Sequence, residues 1–319
     1  MNKKSIIAII VAVFLIGSWT AYYNLQKQPP KELKGKVVFW GKIEKDREVK
    51  PAIGIYDFET GKEDIIFTKN TNWSFGPKIS PNGRRIAYTS LDNSYVFIVD
   101  IPGKTTSTLK VRNSDYGLAN LAWVSDDKIL VIGGPRQNEG KTSDGEGSFI
   151  YNFKTDSLTK VGGRESSEAA KLTLAPNGKK IAFFKYVENE GKRTPRLFIA
   201  NVDGTDLKQV GDVVTRNFAW SPDGRQFCYV SETDNRIHIV NVDGTNNHRI
   251  PNLEYHGWNV AWSPDGNKIM LDNIPQISGT SPREIYIVNI DGTGLRRFYP
   301  KGNWSRVFSP QWWGLKEQK

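Results

Sequence analysis

The hexapeptide "AWSPDG" occurs twice, as residues 219–224 and again as residues 261–266. It sets a serine two residues ahead of an aspartate on a glycine turn. Whether that pair is chemistry or architecture decides what kind of protein this is, and its surroundings answer the question. Full copies of the pattern start at Phe218 ("FAWSPDGRQFCYVS") and Val260 ("VAWSPDGNKIMLD"). Degraded copies start at Lys78 ("KISPNGRRIAYTS"), Leu121 ("LAWVSDDKILVIG") and Leu172 ("LTLAPNGKKIAFF"), and a truncated one at Arg306 ("RVFSPQWW"). The proline slot holds Pro81, Ser125, Pro176, Pro222, Pro264 and Pro310, at intervals of 42 to 51 residues. A catalytic pair needs one privileged copy with partners beside it. Copies recurring at a period in the forties are structural repeats.

The local chemistry agrees. Proline presets φ at the second position of a β-turn, aspartate or asparagine tolerates the third, and glycine supplies positive φ. A second signature follows, as in "RLFIANVDGTDLKQV", "RIHIVNVDGTNNHRI" and "EIYIVNIDGTGLRRF", whose Asp-Gly pairs mark hairpins. Each unit therefore reads as four strands, A to D. In the fifth unit A covers 217–221, B 226–231, C 236–241, and D lies near 247–250. Residues 36–68 supply B, C and D with no A before them, and "WSRVFSPQWW" supplies an A with nothing after it. The expected fold is all-β: a six-bladed β-propeller of four-stranded antiparallel blades over residues 36–315, closed by the C-terminal strand. Trp123, Trp220 and Trp262 share one slot in strand A, filled elsewhere by Leu174, Ile79 and Phe308, and are expected to pack blade on blade.

With these residues in view, "FAWSPDGRQFCYVS…IHIVNVDGT" resembles the repeat of the TolB-like six-bladed β-propeller family. The same repeat type occurs in the propellers of prolyl oligopeptidase relatives. The resemblance covers 36–315 and implies the fold. TolB itself carries an α/β domain ahead of its propeller and is a soluble periplasmic protein. Here the residues before the first blade read differently, so the Tol–Pal role is not carried over.

Those residues are "MNKKSIIAIIVAVFLIGSWTAYY", a basic start and an apolar run from Ile6 to Tyr23, then a polar stretch over 24–35. The expectation is one N-terminal transmembrane helix over 1–23 acting as an uncleaved signal anchor, a polar linker over 24–35, and a propeller on the extracytoplasmic side of the cell membrane. Secretion after signal cleavage is the alternative. The net charge of +10 is split, with +5 carried by residues 1–36 alone, so the folded part is only mildly basic and nucleic acid is not an expected partner. The single cysteine, Cys228, excludes an intrachain disulfide and a cysteine-based zinc site.

Catalytic motifs are missing from the sequence. No G-x-S-x-G elbow, phosphate loop or EF-hand loop occurs. The three histidines, His238, His248 and His256, fall on different parts of the repeat. No cofactor and no metal are expected, and the ring reads as a monomer. The B–C connections at 41–51, 133–147, 186–196 and 272–283 are long. They lie on the face where each D–A connection enters the central channel, opposite the tight A–B and C–D turns. Counting back from the proline slot places Trp73, Tyr116, Asn120, Lys171, Arg216, Asn217, His256, Trp258, Asn259, Trp304 and Arg306 around that mouth. The expected function is a membrane-anchored, non-enzymatic scaffold binding an envelope protein or cell-wall glycan there. The alternative is a propeller enzyme, a polysaccharide lyase or hydrolase, working at the same mouth.

Overall fold

The three-dimensional structure is a computed structural model that describes residues 33–45, 47–68, 76–90, 95–110, 116–135, 147–162, 170–253, 257–273 and 284–314. All 24 regular elements among them are β-strands, grouped as six antiparallel four-stranded sheets. Blade one contains β1 (Lys36–Lys45), β2 (Glu48–Asp57) and β3 (Glu63–Phe67), with the last strand of the chain, β24 (Trp304–Trp313), on the inner side of β1. Blade two is β4 (Lys78–Ile79), β5 (Arg85–Thr89), β6 (Tyr95–Asp100) and β7 (Thr105–Lys110). Blade three is β8 (Tyr116–Ser125), β9 (Lys128–Pro135), β10 (Gly147–Asn152) and β11 (Ser157–Gly162). Blade four is β12 (Ala170–Leu174), β13 (Lys180–Asn189), β14 (Lys192–Asn201) and β15 (Lys208–Val214). Blade five is β16 (Asn217–Trp220), β17 (Gln226–Val230), β18 (Ile237–Asn241) and β19 (His248–Arg249). Blade six is β20 (Gly257–Trp262), β21 (Lys268–Asn273), β22 (Glu284–Asn289) and β23 (Arg296–Phe298).

The first strand of each blade neighbours that of the next, in the circular order β4, β8, β12, β16, β20, β24 and back to β4. These six strands surround the axis. The apolar residues collect in six clusters, and each lies in the seam between two adjacent blades. Blades four and five, for example, share Phe184, Leu197, Phe218, Trp220, Phe227 and Tyr229. A strand alternates its side chains across the sheet, so a blade wedged between two others buries both faces. Burying one such Leu or Phe is worth about 1.5–3 kcal/mol, which makes the seams the main source of stability.

The repeated serine and aspartate are turn components. Ser221 Oγ donates to Asp223 Oδ1 (2.6 Å) and accepts from Gln226 N (2.9 Å), while Arg225 N donates to Asp223 Oδ1 (3.0 Å). Ser263, Asp265, Asn267 and Lys268 repeat the arrangement. Partial burial pushes the Asp223 carboxyl up, but the Ser221 hydroxyl and Arg225 amide outweigh it and hold the group below its usual range. A carboxylate so held is a poor proton acceptor at neutral pH.

Four expectations are corrected. No sheet closes on itself; each stays an open four-stranded array, and β24 supplies the fourth strand of blade one. No helix precedes the propeller among the described residues, and none of them forms a helix long and apolar enough to cross a membrane. A spanning helix needs about 20 apolar residues in a row, whereas the described chain alternates apolar and polar residues over strands of at most 10 residues. Residues 1–32, holding the expected anchor and most of the linker, lie outside the described residues. The membrane as a partner, the single-pass location and the membrane-anchored form of the function are therefore withdrawn. Lastly, the segments expected as loops over 41–51 and 186–196 are ladder: β1 pairs with β2 out to Lys45↔Glu48, and β13 with β14 out to Asn189↔Lys192.

Candidate functional site

Strand pairing defines equivalent positions around the ring. In five blades the first residue of strand B (Arg85, Lys128, Lys180, Gln226, Lys268) faces the last of strand C (Asp100, Asn152, Asn201, Asn241, Asn289). In blade one the matching pair is Lys36↔Asp57. The next residue of strand B faces Ile79, Trp123, Leu174, Trp220 and Trp262 of strand A. In blade one it faces Trp312. Trp312, not Phe308, thus occupies the tryptophan slot, four residues later than the motif suggests. The cause is local. Ser309-Pro310 is not followed by Asp-Gly, so no turn forms; Ser309 takes φ of 51° in a bulge and the strand runs on to Trp313. Trp123 and Trp220 use the slot to donate Nε1–H to the strand A carbonyl of the preceding blade, at Lys78 (2.9 Å) and Thr173 (3.4 Å).

With this register, one axial ring consists of Gly76, Asn120, Lys171, Asn217, Asn259 and Ser309. A second, two residues further along, consists of Lys78, Ala122, Thr173, Ala219, Ala261 and Gln311. Side chains bridge blades at both levels. Lys171 Nζ donates to Asn217 Oδ1 (2.8 Å), Asn259 Nδ2 to Ser309 Oγ (3.4 Å), and Ile79 N to Gln311 Oε1 (2.9 Å). Register shifts occur at or next to the first ring in β8, β12, β20 and β24. Lys171, like Ser309, has positive φ (49°). Bulges re-aim side chains and concentrate beside functional sites.

Two residues outside the expected set complete the ring. Asp272, on β21, is fully buried and accepts from Asn259 N (2.6 Å), Asn259 Nδ2 (2.8 Å) and Ser309 N (2.8 Å). Lys78 and Lys171 are half-buried, and both amines have a lowered proton affinity. Desolvation takes the Lys171 ammonium down to about 7, with Lys78 adding to the fall and Asp272 and Cys228 opposing it. Desolvation takes Lys78 down to about 8. Lys78, Lys171 and Asp272 belong to blades two, four and six, so Lys171 feels the other two across the axis and not through a shared seam. Lys78 does carry a sequence signal, a long cation at a position held by Ala or Thr in four blades.

The remaining expected residues divide. Arg216 is exposed and donates from Nε (3.1 Å) and a terminal nitrogen (2.6 Å) to Glu232. Tyr186, on the projecting β13–β14 hairpin, lies beside it, with the Arg193 guanidinium 4.7 Å above its ring. Trp258 is 54% exposed. The structure therefore brings Lys171, Asn217 and Asn259 together, with Arg216 and Trp258 immediately before two of them in the chain. It leaves Trp304 and Arg306 outside the ring. Trp304 wedges against Phe39 and donates Nε1–H to Glu63 Oε1 (2.6 Å), and Arg306 pairs with Lys42. Tyr116 and Asn120 are placed on β8 by their backbone. Trp73 and His256 lie outside the described residues. Among those described, no three His, Cys, Asp or Glu side chains gather as metal ligands.

No family model matches the chain. Among curated proteins it is similar to the "Uncharacterized peptidase YuxL" of Bacillus subtilis (strain 168), at 26% identity over 104 residues, which are 30% of this chain and 16% of that protein. Among solved structures it resembles TolB from Acinetobacter baumannii, with a TM-score of 0.67 at 15% identity over 92% of this chain and 69% of that one. It also resembles the oligogalacturonate lyase of Vibrio parahaemolyticus, with a TM-score of 0.55 at 13% identity over 85% of this chain and 80% of that one. At these identities the likeness is one of fold.

Proposed function

We propose that this chain is a binding propeller, not an enzyme, and that it holds its ligand at the end of the axis where the D strands run into the A strands. The observation that supports this is the convergence of Lys171, Asn217 and Asn259 on one ring, with Arg216 and the exposed indole of Trp258 at its rim. Concave sites that combine a few convergent polar groups with aromatic surface are the usual form of a ligand site. Exposed Trp and Arg are also the side chains that most often anchor a partner. The opposite end is spent on tight turns whose polar groups satisfy one another. The chain's resemblance to TolB in fold is compatible with this reading.

Photocrosslinking tests it directly. A benzophenone side chain is placed at Trp258, and in a second protein at Asp223 on the turn face. Specific adducts are expected from Trp258 and not from Asp223, and they should disappear on Arg216→Ala plus Asn217→Ala. Adducts arising equally from both ends, or only from Asp223, overturn the assignment. Chain cleavage of a uronate polymer by the purified protein would establish the enzymatic alternative instead.

A further inference from the structure

Cations in the ring outnumber the carboxylates that can balance them. Asp272 is the one described carboxylate that acts on Lys171 across the axis, and three N–H donors already occupy its oxygens, with no bond to a lysine among the described residues. Lys171 donates to a neutral amide oxygen, Asn217 Oδ1. For Lys78 Nζ no acceptor is found among the described residues. Of the other positions on its ring, Ala122, Thr173, Ala219 and Ala261 are small and uncharged, and Gln311, whose Oε1 accepts from Ile79 N, is neutral, so no counter-charge on the ring stands beside the ammonium. Thr89 stands at the Asp272 position of blade two. It is buried, and its Oγ1 has no partner among the described residues. An ammonium from blade two and one from blade four therefore lie on the axis within electrostatic reach of each other, neither bonded to a carboxylate among the described residues. Burying a cation without a counter-ion is costly, and an anion bound between the two lysines would supply the missing counter-charge.

We propose that the axial channel is an anion site in which Lys78 and Lys171 grip one oxyanion, a carboxylate or phosphate group carried by the ligand. This rests on the reading that the adjoining mouth is the binding end, and it adds the ligand's charge and chemistry. Charge-assisted hydrogen bonds from two lysines suit any tetrahedral or planar oxyanion. Asn217, already bonded to Lys171, aims that ammonium. The groups that act on Lys171 are Lys78, Asp272 and Cys228. An oxyanion between the lysines reverses the effect of Lys78, so binding draws protons onto both amines near pH 7 to 8.

The test titrates the full chain with inorganic phosphate and, separately, with acetate, by calorimetry at pH 6.5 and 8.5. The expected result is saturable one-site binding of at least one anion, with proton uptake and at least tenfold weaker binding at pH 8.5. The tighter of the two probes identifies the oxyanion. Lys78→Met and Lys171→Met should each weaken binding tenfold or more while leaving thermal stability equal or higher, because each removes repulsion. Lys179→Ala, exposed on the opposite turn face, should leave it intact. Absence of saturable binding by both anions, or unchanged affinity in both methionine variants, overturns the proposal. Crosslinking at Trp258 that persists in those circumstances leaves the binding end in place and removes only the anion site. Anion binding without Trp258 adducts does the reverse.

Discussion

Replacing Asp272 should loosen the ring where the chain's last strand meets blade six. The buried carboxylate accepts three hydrogen bonds, two from Asn259 and one from Ser309 N, and so ties β20 and β21 to the bulge of β24. Hydrogen bonds to a charged group contribute about 1.5–3 kcal/mol each, and a buried donor left without an acceptor costs about 1–3 kcal/mol. Asp272→Ala leaves two main-chain N–H groups unpaired, so the expected loss is about 4 kcal/mol. Asp272→Asn keeps the shape and one acceptor oxygen but turns an NH2 toward a donor, for a loss of about 2 kcal/mol. Whole domains are stable by about 5–15 kcal/mol, so both losses are measurable. Urea unfolding followed by tryptophan fluorescence reads them as midpoint shifts at constant slope. Asp272→Asn should also lower the Lys171 pKa further, because the attraction that opposes its fall is gone; lysine-resolved NMR reports that. An alanine variant that loses under about 1 kcal/mol would refute the clip, and an unchanged Lys171 titration would refute the contact across the axis.

Stability should rise with pH just above neutrality. The unfolded lysine keeps its proton to about pH 10.4, while folded Lys171 releases it at about 7 and Lys78 at about 8. The unfolded state then binds more protons, so the free energy of unfolding grows with pH through this window. Burial pushes the Cys228 thiol up, which opposes the gain once an unfolded thiol ionises near pH 8.5. The urea midpoint is therefore expected to be higher at pH 8.5 than at pH 6.5, and Lys171→Met should flatten the difference; a falling midpoint in the native chain would contradict the buried-amine account. The Asp-Gly turns offer a paired comparison. A Cβ on Gly292 would lie 1.7 Å from Pro251 O, whereas one on Gly204 meets nothing within 4 Å, although both have positive φ (82° and 86°). Gly204→Ala is expected to cost about 1 kcal/mol of backbone strain and Gly292→Ala at least 3 kcal/mol. Equal losses in chemical denaturation would mean that the turn of blade six does not pack on blade five.

How far the molecule could be read from its sequence follows from the range of the forces involved. Ser-Pro-Asp-Gly builds its turn from atoms within five residues, so five of the six blades announce their register wherever the motif stands. In the sixth, Ser309-Pro310 looks like the same signal. The register there is decided by pairing with β1, at the far end of the chain, and no local cue reports that Trp312 takes the slot. The misplacement carried Trp304 and Arg306 into the expected mouth and kept Ser309 out of it. The projecting hairpins were obscured in a similar way. Pro195 and the charged run beside it read as loop, yet Pro195 pairs with Tyr186 inside the ladder because the strand continues past the blade's edge, where neighbours no longer demand apolar side chains. The axial charges are the extreme case. Lys78, Lys171 and Asp272 come from alternate blades, each sits in an ordinary strand context, and only closure of the ring sets them face to face. A cation at a position held by alanine or threonine in four other blades is nonetheless visible in the alignment of repeats. In a ring built from near-copies, the position that departs from its equivalents is where the structure spends stability, and Lys78, Lys171 and Asp272 all depart.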